Sequence, residues 1–280
     1  MSFSLFRKTN YRCARLITRA YSTSFSMGIM AFGSALRDPI YGIYAYVRYA
    51  DEIVDTFHDY NKPDLFIRFR EETWKAIDER ISLNPVLDAF QHVVNTYHID
   101  REVIDAFLDS MEMDLDQRTY NPESYSDYIY GSAEVVGLMC LRVFVNGNEA
   151  LYRELVGPAR SLGAAFQKVN FLRDMKDDFE NRGRTYFPGI NFSQGFTPDM
   201  KAAIETDIQK DFDDALVGIR KLPREAKTGV YMAYLLYVTL FKKLKSASTD
   251  DIRQSRIRVP DTEKLALIPL AVFRTRLGTV

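Results

Sequence analysis

Apolar residues return every three to four positions along almost the whole chain, the spacing of helices that each bury one face. The pattern predicts helices over 3–20, 39–57, 64–81, 85–97, 100–118, 124–146, 149–179, 198–221, 224–246 and 261–276, and no stretch alternates with period two as a half-buried strand does. Asn121-Pro122-Glu123 and Thr197-Pro198-Asp199 read as helix starts. In each, a capping side chain precedes a proline of the kind the first turn tolerates. The one long stretch without periodicity is Asn181 to Gly195, NRGRTYFPGINFSQG, and a loop of that length between helices is a candidate functional segment. No repeat, low-complexity tract or linker divides Phe3 from Leu277, so a single all-α domain over 1–280 is expected.

Composition agrees with the pattern and narrows the function classes. Glycine (14) and proline (10) are sparse in 280 residues, and 46 % hydrophobic residues suffice for a substantial core. A net charge of -1 argues against a nucleic-acid partner. The charge is uneven, however. From Phe241 to Val280 nine Lys/Arg face four Asp/Glu, a local +5 that leaves -6 for the first 240 residues. Cys13 and Cys140 have neither zinc-site nor disulfide-framework spacing, which suits a reducing cytoplasm. Arg7, Lys8, Arg12 and Arg15 lie where a secretory signal needs its apolar stretch. The longest uncharged run, Ala20 to Leu36, has 17 residues with four serines, so no membrane span is expected.

Candidate chemistry begins in IYGIYAYVRYADEIVDTF, Ile40 to Phe57, where apolar and aromatic residues surround Arg48, Asp51, Glu52 and Asp55. Asp51 and Asp55 share a helix face, with Arg48 one turn earlier. Carboxylates in an apolar shell are costly unless paired or metal-bound; a structural Arg48 pair with Asp51 or Glu52 is one reading. A second stripe, Gln167, Asn170, Asp174 and Asp178, with Arg173 beside it, falls on one face of another apolar helix. Two such helices can surround magnesium or manganese ions, hard cations that take oxygen ligands and keep positions open for phosphate oxygens. Asp105, Asp109, Glu112 and Asp116 form an equally regular acidic stripe. Its flanks are more polar and it has no arginine or amide beside it, so it reads as a solvated face. Only three histidines occur, and zinc-hydrolase, P-loop and G-x-G-x-x-G signatures are absent, leaving no support for a nicotinamide cofactor.

Six segments together resemble the squalene and phytoene synthases, the head-to-head prenyltransferases. They are YSTSF at Tyr21 to Phe25, VRYADEIVD at Val47 to Asp55, YGSAEVVGLM at Tyr130 to Met139, QKVNFLRDMKDD at Gln167 to Asp178, GRTYFP at Gly183 to Pro188 and RIRVP at Arg256 to Pro260. The resemblance runs from about Tyr11 to Lys264. It implies an all-α isoprenoid-synthase fold with a central cavity between two aspartate-rich helices.

By motif, it implies that Asp51, Asp55, Asp174, Asp178 and Asn170 hold magnesium against the diphosphates, with Gln167 completing that face. Arg48, Arg173 and Arg256 would clamp phosphate oxygens, and Ser22, Ser24 and Tyr237 would donate hydroxyls. Other roles stay open: Ser22 and Ser24 as helix caps, Tyr237 as core, Arg256 as surface. Tyr128, with Tyr41, Tyr44, Tyr130 and Tyr237, would offer ring faces to carbocations. The implied substrate is an allylic prenyl diphosphate, and GSAEVVGLM and RIRVP look more like phytoene synthases than squalene synthases. Two geranylgeranyl diphosphates would then give phytoene without a nicotinamide reductant. The farnesyl alternatives are squalene and dehydrosqualene synthesis, and a non-catalytic assembly role is a further alternative. Ile29, at the position where the family sets tail length, makes that wall aliphatic. Hydrocarbon product and basic tail imply weak peripheral membrane association from the cytoplasm, and downstream carotenoid enzymes as partners.

Overall fold

The computed structural model describes residues 2–116, 119–180, 183–189 and 195–280. Among them the helices are α1 (Phe3–Tyr21), α2 (Thr23–Met30), α3 (Ser34–Asp55), α4 (Lys62–Glu79), α5 (Pro85–Tyr97), α6 (Arg101–Asp116), α7 (Pro122–Ile129), α8 (Val135–Val145), α9 (Glu149–Glu180), α10 (Pro198–Lys221), α11 (Arg224–Ser246), α12 (Thr249–Gln254) and α13 (Asp261–Leu277). No strand occurs among these residues; a lone parallel bridge joins Thr119 to Thr185. Of the segments expected from sequence, Gln117 and Arg118 at the end of the fifth helix, and Asn181, Arg182 and residues 190–194 in the long loop, lie outside the described residues.

Three features depart from the periodicity. Helices α2 and α12 were not expected, because both are short and serine-rich or charged; each is started by a serine side chain, Ser22 accepting from Phe25 N and Ser248 from Asp251 N. Helix α3 begins at Ser34 and carries Pro39 inside it. The expected helix over 124–146 is interrupted by a π turn at Tyr130–Glu134, a one-turn widening that recurs near functional sites. The span Pro122–Val145 has the length and hydropathy of a membrane helix, yet half of it is buried inside the molecule. Val135, Met139 and Val143 are fully enclosed there, so this is a core helix.

The longest helix, α9, packs against α7, α8, the π turn, α10, α11 and α12. It is locked to α10 by Lys168, whose ammonium meets Asp207 at 2.5 Å and Asp211 at 2.7 Å. Two carboxylates on one buried ammonium offset its desolvation, and losing either is costlier than losing a surface pair. On the other side, α1 is tied to α5 through Asp88, fully buried, which accepts from Asn10 and faces Arg7. Tyr46 of α3 stacks on Phe90 with ring centres 3.7 Å apart and lies against Phe69 and Phe107. These contacts fix α3 and α9 as two walls of one cavity.

Candidate active site

The cavity measures about 440 Å³ and runs along α9. Its levels can be read from the side chains that cross it. At the polar end stand Arg48, Asp51 and Asp55 from α3 and Asn170, Asp174 and Asp178 from α9. One turn deeper, Gln167 Nε2 donates to Ser132 Oγ at 3.2 Å. Deeper again, a Cβ on Gly163 would lie 2.6 Å from Ala133 O, and one on Gly137 2.9 Å from Ala159 O. The helices on either side therefore run antiparallel with backbones nearly touching. The deep end is apolar: Leu141, Phe144, Leu155, Pro158, Ile219 and Leu222 line it. A diphosphate head at one end and a hydrocarbon tail at the other fit that gradient.

The polar end is already paired within the protein. Arg48 holds Glu52 and stands 3.9 Å from Asp51, with its guanidinium 4.5 Å over the Tyr21 ring. The structural ion pair and a cavity-facing arginine are thus the same residue. Asp174 carries two guanidiniums: Arg173 reaches it at 2.9 Å through Nε, and Arg256 at 2.7 Å. Tyr237 donates to Asn170 Oδ1 at 3.2 Å and stacks on Phe166, centroids 3.8 Å apart. Burial pushes its phenol pKa up, so it keeps its proton and serves as a hydrogen-bond donor. Tyr44 is likewise pushed up to about 12 by burial.

Of the residues singled out from sequence, Ser24, Ile29, Arg48, Asp51, Asp55, Tyr128, Gln167, Asn170, Asp174, Asp178 and Tyr237 line this one cavity. Tyr44 lines it too, whereas Ser22, Tyr41, Tyr130, Arg173 and Arg256 do not. Ser22 caps α2, while the two arginines touch the site through Asp174. The acidic stripe on α6 is half-exposed as expected, but an arginine does serve it. Arg70 of α4 reaches Asp105, Asp109 and Glu112 at 3.4, 2.6 and 2.9 Å. That arginine arrives from another helix, which spacing along one helix cannot reveal.

Sequence reasoning missed two charged residues at the cavity. Arg184, in the described part of the long loop, donates to Asp55 Oδ1 at 3.0 Å and to Asp114 O at 2.7 Å, and lies 3.5 Å from the Asp114 carboxylate. Asp114 in turn accepts from Tyr128 at 2.7 Å and Tyr120 at 3.2 Å. Burial pushes its carboxyl up to about 6, with Arg184 and then Tyr128 opposing. A signal existed: Asp114 is in phase with Phe107 and Met111 on the buried face of α6, where a carboxylate needs a partner. Tyr128 is accordingly not a free hydroxyl; its ring joins Tyr186 and Phe171 in a stacked wall, the latter two 4.0 Å apart. Glu134, in the π turn, points out of the cavity to Arg160 at 2.6 Å.

Carboxylate and amide oxygens are the donor set that magnesium or manganese takes. Among the described residues, no three acids or histidines come together closely enough to hold an ion alone. The arrangement fits an ion that draws its remaining oxygens from water and a bound phosphate, with Asp51, Asp55, Asn170, Asp174 and Asp178 supplying the protein's share.

A family model described as squalene/phytoene synthase matches residues 18–263. The 15-cis-phytoene synthase of Synechocystis sp. is 28 % identical, over 95 % of this chain and 86 % of that protein. The 15-cis-phytoene synthase of Synechococcus elongatus is 29 % identical, over 94 % and 92 %. Among solved structures, a dehydrosqualene synthase with bound ligand superposes with a TM-score of 0.81 at 17 % identity, covering 97 % of this chain and 98 % of its own. A squalene synthase from Alicyclobacillus acidocaldarius gives 0.75 at 20 %, covering 85 % and 94 %. At those identities the likeness is one of fold.

Proposed function

The chain belongs to the squalene/phytoene synthase family of prenyltransferases, and we propose that it joins two geranylgeranyl diphosphates head to head to give phytoene and two diphosphates. Two observations support this reading. The cavity grades from the carboxylates of α3 and α9 to an apolar end at Leu155 and Phe144, as a prenyl diphosphate requires. The relatives that cover nearly the whole chain bear the name phytoene synthase, which favours the twenty-carbon substrate over the fifteen-carbon one.

The residues divide the work by level. Bound magnesium would supply positive charge to the departing diphosphate, held by the carboxylates of α3 and α9. Arg48, Arg173 and Arg256 add guanidinium donors for phosphate oxygens. Ser24 faces the same end. As the first chain ionises to an allylic cation, the second chain's double bond attacks it and a proton leaves, giving a cyclopropylcarbinyl diphosphate. Ionisation of that intermediate, rearrangement and a second proton loss complete phytoene. No reductant enters this balance. The stacked rings of Tyr128, Tyr186 and Phe171 offer π faces to the cations and keep water away. Incubating the enzyme with fifteen- and twenty-carbon diphosphates, with and without nicotinamide reductant, tests the proposal by product mass. Preference for the fifteen-carbon substrate overturns it in favour of squalene or dehydrosqualene synthesis.

The product is a hydrocarbon that must leave for a membrane, and α13 offers a surface for docking there. Leu265, Phe273 and Leu277 are each more than half exposed on its outer side, and Arg274 and Arg276 stand in a stretch without acids, whereas Lys264 pairs with Asp261 at 2.8 Å. The rest of the basic tail is partly neutralised, since Lys243 pairs with Glu263 and Arg256 with Asp174. Flotation with anionic vesicles at low salt, lost with neutral vesicles, is the expected result; no binding to either sinks the membrane reading.

A further inference from the structure

The family resemblance points to Ile29 as the residue that sets tail length, but the geometry places another group at the end of the seat. Helix α2 descends along the cavity. Phe25, near its start, meets Tyr237 with ring centres 6.4 Å apart, at the polar end. Ile29 is a turn deeper, and Phe32 follows just beyond the helix, all three facing the cavity. Helix α11 runs the opposite way, from Tyr237 at the polar end down through Leu236, Ala233 and Val230 to Gly229. Phe32 pairs with Phe144 of α8, ring centres 5.1 Å apart at 36°. Phe144 lies two turns beyond Gly137, which itself crosses α9 at Ala159. Ile29 is therefore side wall, whereas Phe32 and Phe144 close the deep end.

What holds Phe32 there is a missing side chain. A Cβ on Gly229 would come within 2.7 Å of Phe32 Cγ and closer still to Cδ1 and Cε1. The ring occupies the volume that any other residue at position 229 would claim. Its backbone cannot retreat to make room, because the connection is pinned to the start of α11 by Gly33 N donating to Glu225 O at 2.8 Å. A side chain at position 229 would therefore press the ring toward the cavity that it already lines.

We propose that the Phe32–Phe144 pair, seated on Gly229, is the stop that fixes how long a prenyl chain this enzyme accepts. The proposal rests on the cavity's being the prenyl seat, not on the chain being twenty carbons long. Phe32→Leu and Phe144→Leu keep apolar bulk while removing the ring face, and Gly229→Ala pushes Phe32 inward. One methylene-sized change in an apolar pocket is worth roughly 10–200-fold in discrimination.

The experiment measures kcat/KM for the fifteen-, twenty- and twenty-five-carbon allylic diphosphates in each variant, with circular dichroism to establish folding. Either leucine variant is expected to raise the twenty-five to twenty carbon ratio about 10-fold or more, and Gly229→Ala to lower the twenty to fifteen carbon ratio similarly. The double variant Gly229→Ala with Phe32→Leu should recover the longer substrate, a coupling that mere destabilisation does not produce. Ratios unchanged within twofold in folded, active leucine variants overturn the proposal, whether or not Gly229→Ala folds. If the unaltered enzyme prefers fifteen carbons, the phytoene reading falls; the stop is then judged by whether the leucine variants raise the twenty to fifteen carbon ratio.

Discussion

The acidic stripe of α6 and the acidic pairs of α3 and α9 have nearly the same spacing and opposite surroundings. On α6 the carboxylates of Asp105, Asp109 and Glu112 are about half exposed, and one arginine of α4 spans all three. At the cavity, Asp55 and Asp174 are 18 % exposed, and their arginines come from the long loop (Arg184), from α9 itself (Arg173) and from the segment after α12 (Arg256). Water screens the first set, so its charges do little beyond solubility. Low local dielectric magnifies the second, so the same residue type binds a cation far more strongly there. Position relative to the apolar core, not spacing, separates a site from a surface.

Arg184 is where that contrast is deepest, since its side chain is 7 % exposed and it serves both Asp55 and Asp114. Arg184→Met removes the guanidinium that Asp55 and Asp114 share, and breaking a buried pair in this way costs about 3–5 kcal/mol. A fall in Tm of roughly 10 °C is expected, and a Tm within a degree of the parent's rejects the buried-network account. Next in size are Asp51→Asn and Asp178→Asn. Each removes one charge from the end proposed to hold the diphosphate, and turnover at saturating magnesium should fall on the order of 10²-fold or more. Chelation of divalent ions should abolish turnover in the unaltered protein. Near-native activity in both variants removes the two-helix site from the mechanism.

How much of this was legible beforehand depends on whether a signal lies within one helix or between helices. The long helices announced themselves, because the faces of α9, α10 and α11 keep their period for six turns or more. Asp51 with Asp55, and Asn170 with Asp174 and Asp178, were found because each set shares one helix face. Arg70 and Arg184 were not, since their partners are 35 or more residues away in sequence. Helix α2 was hidden by its serines, which favour caps and turns over helix interiors. The depth of the cavity depends on close approaches between elements, Gly163 to the π turn, Gly137 to α9 and Gly229 to Phe32, and these leave no periodic trace. The motif likeness covered what spacing could not, by bringing Ser24, Ile29 and Tyr237 into the same reading.

Asp114 sharpens the comparison through pH. Its carboxyl is pushed up to about 6 in the folded chain, mainly by burial, against roughly 3.9 when unfolded. Between about pH 4 and 6 the folded state therefore binds more protons than the unfolded one, and stability falls as pH rises through that window. The whole effect is at most ~3 kcal/mol. Urea midpoints taken from pH 4 to 7 should show this decline, and Asp114→Asn should flatten it; an identical slope in both proteins assigns the decline to other groups.

The smallest effects belong to the exposed stripe, and their smallness is itself the claim. Asp109→Asn removes the acid nearest Arg70, 2.6 Å away, yet leaves that arginine with Asp105 and Glu112. Loss of one screened attraction is offset by relief of repulsion among three carboxylates one turn apart, so stability should move by less than about 0.5 kcal/mol. Arg70→Ala cannot be compensated in that way: the three carboxylates then face one another with no cation, and about 1 kcal/mol should be lost at low salt and less at high salt. Turnover should stay within twofold of the parent in both variants. A loss approaching that of Asp178→Asn would mean that the α6 face takes part in catalysis, and that exposure does not separate the two stripes after all.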